Sequence, residues 1–232
     1  MKKVLLIHGL CCTANVFNSL EFELQRKNYN VTKLELSGLD DKRKSSMSDL
    51  IRNVRSSISC NQYDLIFAHG VGAYLLTQSL DVCQDVKVVL CNPVMADNVR
   101  PELYPIFKIL GCKSILDTLL PKCLRTVLYR RAMHFMCNDI NKVKSDVIEG
   151  LFIGSNKTMC SVLQNIKRLP HKKNKHPQLY LIYGTFDRCV NKTREFQLVS
   201  KMTFTLDSGH MSYLEQEDMI VSILDRIIKA RL

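Results

Sequence analysis

Six short segments pace the chain, and each ends on a turn signal. Residues 4–7 are unbroken apolar and stop at His8-Gly9. Residues 31–36 alternate and stop at Ser37-Gly38, while 65–68 stop at His69-Gly70. Residues 86–91 stop at Asn92-Pro93, 179–183 at Gly184, and 202–206 at Asp207-Ser208-Gly209. Unbroken apolar runs of this length predict strands buried on both faces. Helical spacing fills the gaps, over 20–26, 47–58 and 72–80 and through 215–232, where Ile220, Ile223, Leu224, Ile227 and Ile228 recur. Strand and helix thus alternate, which predicts a mostly parallel α/β sheet of about six strands flanked by helices, with right-handed crossovers.

The alternation is interrupted once. Residues 97–176 read as a helical insertion, with helices over 103–110, 115–136, 140–151 and 159–166 and with Pro101, Pro121 and Pro170 as punctuation. The expected organisation is a core of 1–96 and 177–232 with a cap of 97–176. At 232 residues the chain is long enough for one such domain. Charge follows the same division. The net charge is +11, and the segment 97–176 carries 15 Lys and Arg against 6 Asp and Glu. The stretch 119–131, with Lys122, Arg125, Arg130 and Arg131 among leucines, reads as a basic amphipathic helix. Such a helix suits an anionic lipid surface or an anionic ligand; its plainer use is a cap helix with one face on a pocket and its cations in water. Aromatics make up only 7% and no nucleic-acid motif occurs, so nucleic acid is not an expected partner.

No run approaches the roughly 20 apolar residues of a membrane span. Lys2-Lys3 followed by four apolar residues is too short for a signal peptide, which needs about 7–15. The expected location is therefore cytoplasmic, with the ten cysteines mostly reduced and the Asn-x-Thr sequons at Asn30, Asn156 and Asn191 unmodified.

Three of the turns hold residues that can do chemistry. Ala68-His69-Gly70-Val71-Gly72-Ala73 lies at a strand-to-helix junction and is lined by small residues. Gly184-Thr185-Phe186-Asp187-Arg188-Cys189-Val190 and Ser208-Gly209-His210 follow the last two strands, with Glu215 five residues further on. A dinucleotide-binding turn at Gly70-Val71-Gly72 would need a third glycine at position 75, which is Leu75. No His or Cys pairs have the spacing of a metal site, so neither a metal nor a cofactor is expected. Asp187 and His210 also have a structural reading, as a hydrogen bond between two loops. His8 and His69 read first as buried turn residues.

Together these motifs resemble those of the α/β-hydrolase superfamily, in its cap-bearing, esterase-like branch. The junction at 68–73 is similar to the nucleophile elbow, written G-x-S-x-G, where a sharp turn lifts a serine above the sheet. Gly70 stands where that serine would be. The resemblance implies that Asp187 is the triad acid and His210 the base, in the chain order of this fold. It makes His8-Gly9-Leu10 the oxyanion turn, with backbone N–H groups of Leu10 and Val71 aimed at an oxyanion and His8, Gly9 and His69 beside the ligand. Nothing before residue 4 supplies the hairpin with which many members begin, which implies a shortened sheet. The run Gly70-Val71-Gly72-Ala73-Tyr74-Leu75-Leu76 also looks like the elbow of the non-catalytic NDRG proteins.

Glycine cannot attack a carbonyl. Loss of the nucleophile from a Ser-His-Asp unit costs roughly 10⁶-fold in kcat. The expected function is therefore that of a pseudoenzyme, which holds a small apolar or anionic ligand, or a protein partner, on a hydrolase scaffold. The alternative is an active hydrolase or lyase in which His210 and Asp187 activate water. Another nucleophile, such as the thiols of Cys11 or Cys12, would approach from the wrong wall.

Overall fold

The computed structural model describes residues 1–9, 12–36, 46–95, 98–100, 121–143, 176–192 and 199–230. Its strands are β1 (Lys3–Ile7), β2 (Asn30–Leu34), β3 (Leu65–His69), β4 (Lys87–Cys91), β5 (Leu179–Gly184) and β6 (Met202–Leu206). They form one six-stranded sheet in the order β2-β1-β3-β4-β5-β6, and all five pairings are parallel. The chain runs from β1 to β2 on one side and then crosses to β3 on the other. The C-terminal ends of β1 and β3 therefore flank the switch point, where open α/β sheets bind their ligands.

Burial explains the sheet order. Strands β3, β4 and β5 are buried along their whole length, and β1 from its second residue. The edge strands β2 and β6 are partly exposed. Side chains alternate between two cores. Val4, Leu6, Phe67, Val89 and Ile182 face one way, against α1 (Asn18–Arg26) and the last helix. Leu5, Ile7, Ile66, Leu90 and Leu181 face the other way, against α2 (Met47–Ser59) and α3 (Gly70–Thr77). Ser46 starts α2 with a capping box, in which its hydroxyl and the Asp49 carboxylate each accept the other's backbone N–H.

Three helix readings change. The helix expected over 115–136 is described from Lys122 as α4 (Lys122–Met136), with Pro121 at its N-cap, because a helix continuing through a proline loses a hydrogen bond and clashes. Residues 140–142, expected to begin a long helix, form a short 3-10 turn that ends in extended backbone at Val143. The C-terminal helix expected from residue 215 begins at Glu217 as α6 (Glu217–Lys229), after a separate short helix α5 (Ser212–Glu215) and a break at Gln216. The helices expected over 103–110 and 159–166, and most of the basic insertion, lie outside the described residues. Lys2 and Lys87 donate their ammonium groups to the carbonyls of Ile228 and Ala230 at the end of α6, where cations oppose the helix dipole. Among the described residues no helix is long and apolar enough to cross a membrane.

Helix α3 sits close on the sheet because Gly72 has no side chain. A Cβ there would lie 2.3 Å from the His8 carbonyl oxygen and 3.0 Å from Ile7 Cγ2. Gly72→Ala should therefore lower stability by about 1–3 kcal/mol, the usual cost of overpacking. Equilibrium urea denaturation measures it.

Candidate active site

Gly70, Asp187 and His210 come from three different strand ends and meet at one edge of the sheet. Asp187 follows β5 in the turn 185–190. One carboxylate oxygen accepts the N–H groups of Cys189 (2.7 Å) and Val190 (3.0 Å), which fixes the carboxylate's orientation. The other oxygen lies 2.8 Å from His210 Nδ1. The two side chains are 3% and 8% exposed, so the bond is shielded from water. The turn itself is held by the antiparallel bridge between Val99 and Val190 and by Arg100, whose guanidinium donates to the Asp187 carbonyl.

Gly70 begins α3 with φ +56°, in the left-handed region that disfavours L side chains. A Cβ built there would lie 3.7 Å from His210 Nε2, 3.7 Å from Gly9 Cα and 3.9 Å from Val94 Cγ2, all ordinary contacts. The turn thus has the shape of a nucleophile elbow, and a side chain at its tip would point at the histidine. Val71 is in the first turn of α3, where backbone N–H groups lack an intrahelical acceptor. Leu10 and Cys11 lie outside the described residues.

His8, Gly9 and His69 form the floor beneath this edge. His8 is fully buried and donates Nδ1–H to the Gly9 carbonyl. Its Nε2 lies 3.0 Å from both the Leu36 N–H and a Glu35 carboxylate oxygen. The ring therefore ties β1 to the end of β2 whether it is neutral and accepting or protonated and donating. His69 is 2% exposed and donates Nε2–H to the His210 carbonyl at 3.0 Å. Its ring stacks edge-on to Tyr213 and lies beside the His210 ring. Gly9 must be glycine, since a Cβ there would lie 2.7 Å from His69 Nδ1. Burial, and then the neighbouring charge of His210, hold the His69 imidazole well below its usual pKa, so it is neutral.

Two residues not singled out for the site prove central to its support. Asn92, read only as part of an Asn-Pro turn, is completely buried with φ +43° at the end of β4. Its side-chain oxygen accepts the Gly184 N–H, and its amide nitrogen donates to the His210 carbonyl and the Ser212 hydroxyl. Glu215 is 6% exposed and accepts three backbone N–H groups, those of Gly209, Asn138 and Asp139. It joins the histidine loop to the chain leaving α4, and the His210 N–H donates to the Met136 carbonyl beside it.

Asp187, Cys189 and His210 bring three potential metal-ligating atoms within 4.8 Å of one another. The 2.8 Å approach of Asp187 to His210 is a hydrogen-bond distance, shorter than the roughly 3.3 Å between two ligands of a tetrahedral zinc. Burial pushes the Cys189 thiol well above its ordinary pKa, so in the absence of a metal ion it is protonated. The cluster is thus arranged for a shared proton. A cavity of about 370 Å³ lies behind Glu215, lined by Ser19, Glu23, Lys142, Glu217 and Asp218, and none of Gly70, Asp187 and His210 lines it.

No protein-family profile and no curated protein matches the sequence. Solved structures do match in shape. An enol-lactonase from Burkholderia xenovorans is 13% identical with a TM-score of 0.73, over 99% of this chain and 92% of that one. A thermophilic esterase from Thermogutta terrifontis is 14% identical with a TM-score of 0.71, over 99% and 91%. A methylesterase from Arabidopsis is 14% identical with a TM-score of 0.63, over 98% and 99%.

The neutral His69 makes stability depend on pH. Its folded pKa lies below its unfolded value near 6.5, so the unfolded state takes up the proton first as pH falls. The folded protein should lose about 1 kcal/mol between pH 7.5 and 5.5 from this residue alone. Urea denaturation at both pH values should show the loss in wild type and a smaller one in His69→Gln, whose absolute stability is not the readout. With 309 chains matching in shape, these enzymes among them, the sequence is an α/β-hydrolase fold.

Proposed function

We propose that this protein is a pseudoenzyme that uses an α/β-hydrolase pocket to bind a small apolar or anionic ligand, or a protein partner, without acyl transfer. The observation that carries the reading is Gly70. It keeps the backbone conformation of an elbow, with φ +56° and a clear line to His210 Nε2, and offers no atom to attack a carbonyl. Basic residues in the 97–176 segment, read here as the cap, favour an anionic partner, whether a ligand or a lipid surface.

The hydrogen bond between Asp187 and His210 favours a second reading. A histidine oriented by a carboxylate is a general base, and a water placed where a seryl oxygen would sit is within its reach. In that reading the protein is a slow hydrolase, with Val71 N–H and the turn after Gly9 as its oxyanion donors.

One set of assays separates the two. Purified wild type, His210→Ala and Gly70→Ser are compared on a panel of activated esters. Wild type and His210→Ala should hydrolyse equally slowly; a His210-dependent rate in wild type would favour water activation and overturn the binding reading. Gly70→Ser should gain at least ~10-fold over wild type, a small part of the roughly 10⁶-fold that a seryl nucleophile contributes in a serine protease. It should also lose about 1 kcal/mol of stability, because serine at positive φ is strained.

A further inference from the structure

We infer that Asn92 is the positioning residue for the Asp187–His210 pair, an inference that rests on reading those two residues as a retained acid–base unit. The geometry is specific to a carboxamide. The Asn92 oxygen accepts the Gly184 N–H at 2.8 Å, at the end of the strand that leads into the Asp187 turn. Its nitrogen donates to the His210 carbonyl at 2.5 Å and to Ser212 Oγ at 2.7 Å. One planar group thus spans the two loops that carry the acid and the base. An aspartate at this position would keep the acceptor and lose the donors to His210, Ser212 and the more distant Gly209 carbonyl; a leucine would lose all four bonds.

The surroundings leave the amide little freedom. Asn92 has no exposed surface, and its own N–H donates to the Ile182 carbonyl at 2.8 Å. Its φ of +43° turns the chain out of β4 at a conformation that asparagine adopts more readily than most residues. The Ser212 hydroxyl is held in turn by Ser208 and by the Gly209 carbonyl. The His210 carbonyl receives a second donor, His69 Nε2–H, from the end of β3. Two side chains on adjacent strands therefore grip the backbone of His210, while the carboxylate of Asp187 grips its ring. The described hydrogen bonds of Asn92 reach His210 through its backbone carbonyl, so Asn92 acts on the imidazole through the His210 backbone.

Proton NMR tests this without a known substrate. A histidine Nδ1–H bonded to a buried carboxylate resonates far downfield, and the pH at which it shifts reports the pair. Wild type should show this signal, and Asp187→Asn should lose it; a wild type without it, or an Asp187→Asn protein that keeps it, ends the acid–base reading itself. With the pair established, Asn92→Ala and Asn92→Asp should broaden or remove the signal and move the His210 titration, while a cooperative thermal transition remains. A purely structural role would lower Tm and leave the signal and titration as in wild type, which overturns the inference. Ser212→Ala, which removes one of the amide's four anchors, serves with the same two outcomes if neither Asn92 variant folds. In a Gly70→Ser protein that hydrolyses esters, adding Asn92→Ala should cut kcat about 10²-fold, the cost of a misplacement near 1 Å; an unchanged kcat also overturns it.

Discussion

Parallel strands that are covered on both faces all finish in the same place, and the turns leaving them start inside the protein. Backbone N–H and C=O groups in those turns cannot reach water, so each needs an internal partner. Here side chains supply them. Asp187 accepts two N–H groups, Glu215 three and Asn92 one, while Asn92 and His69 both donate to the His210 carbonyl. An unpaired buried polar group costs about 1–3 kcal/mol. Satisfying this edge of the sheet fixes the loops, and fixed loops place His210 against Asp187 and Gly70.

The same requirement separates support from chemistry. His8 and His69 are buried histidines whose described hydrogen bonds run to backbone groups and, for His8, to Glu35. Both lie at the switch point of the sheet, yet their described contacts are those of braces. His210 differs: its Nδ1 is engaged by Asp187, and its Nε2 faces the position a Gly70 side chain would take.

Much of this was legible in the residues. The central strands announced themselves because burial on both faces leaves few polar positions to interrupt an apolar run; Lys87 in β4 is the exception, and its ammonium reaches the carbonyls of Ile228 and Ala230. Asp187 and His210 were named through the resemblance of their turns to the hydrolase acid motif and histidine loop, and the structure brings the two side chains within 2.8 Å of each other. Gly70 stood out by the small residues around it. Asn92 was not legible, because Asn-Pro is an ordinary turn signal and nothing in the local sequence says that the amide reaches Gly184, 92 residues away. Glu215 was noticed as the acidic residue that follows the histidine loop in the resembled family, but its bonds were not foreseen, since two of its three partners are Asn138 and Asp139, whose position depends on how the chain leaves α4. Gln216, the break between α5 and α6, lies in the polar stretch Glu215-Gln216-Glu217-Asp218 and lacks the glycine or proline that would mark a stop.

Glu215 also gives the molecule a mechanical property. Its carboxylate is bonded at once to the chain leaving α4 and to the histidine loop, and the Met136 carbonyl receives the N–H of His210 itself. The end of that helix and the imidazole's own backbone are one stiff link. The end of α4 cannot shift without stretching these four bonds, so the position of that helix and the position of the His210 backbone are set together.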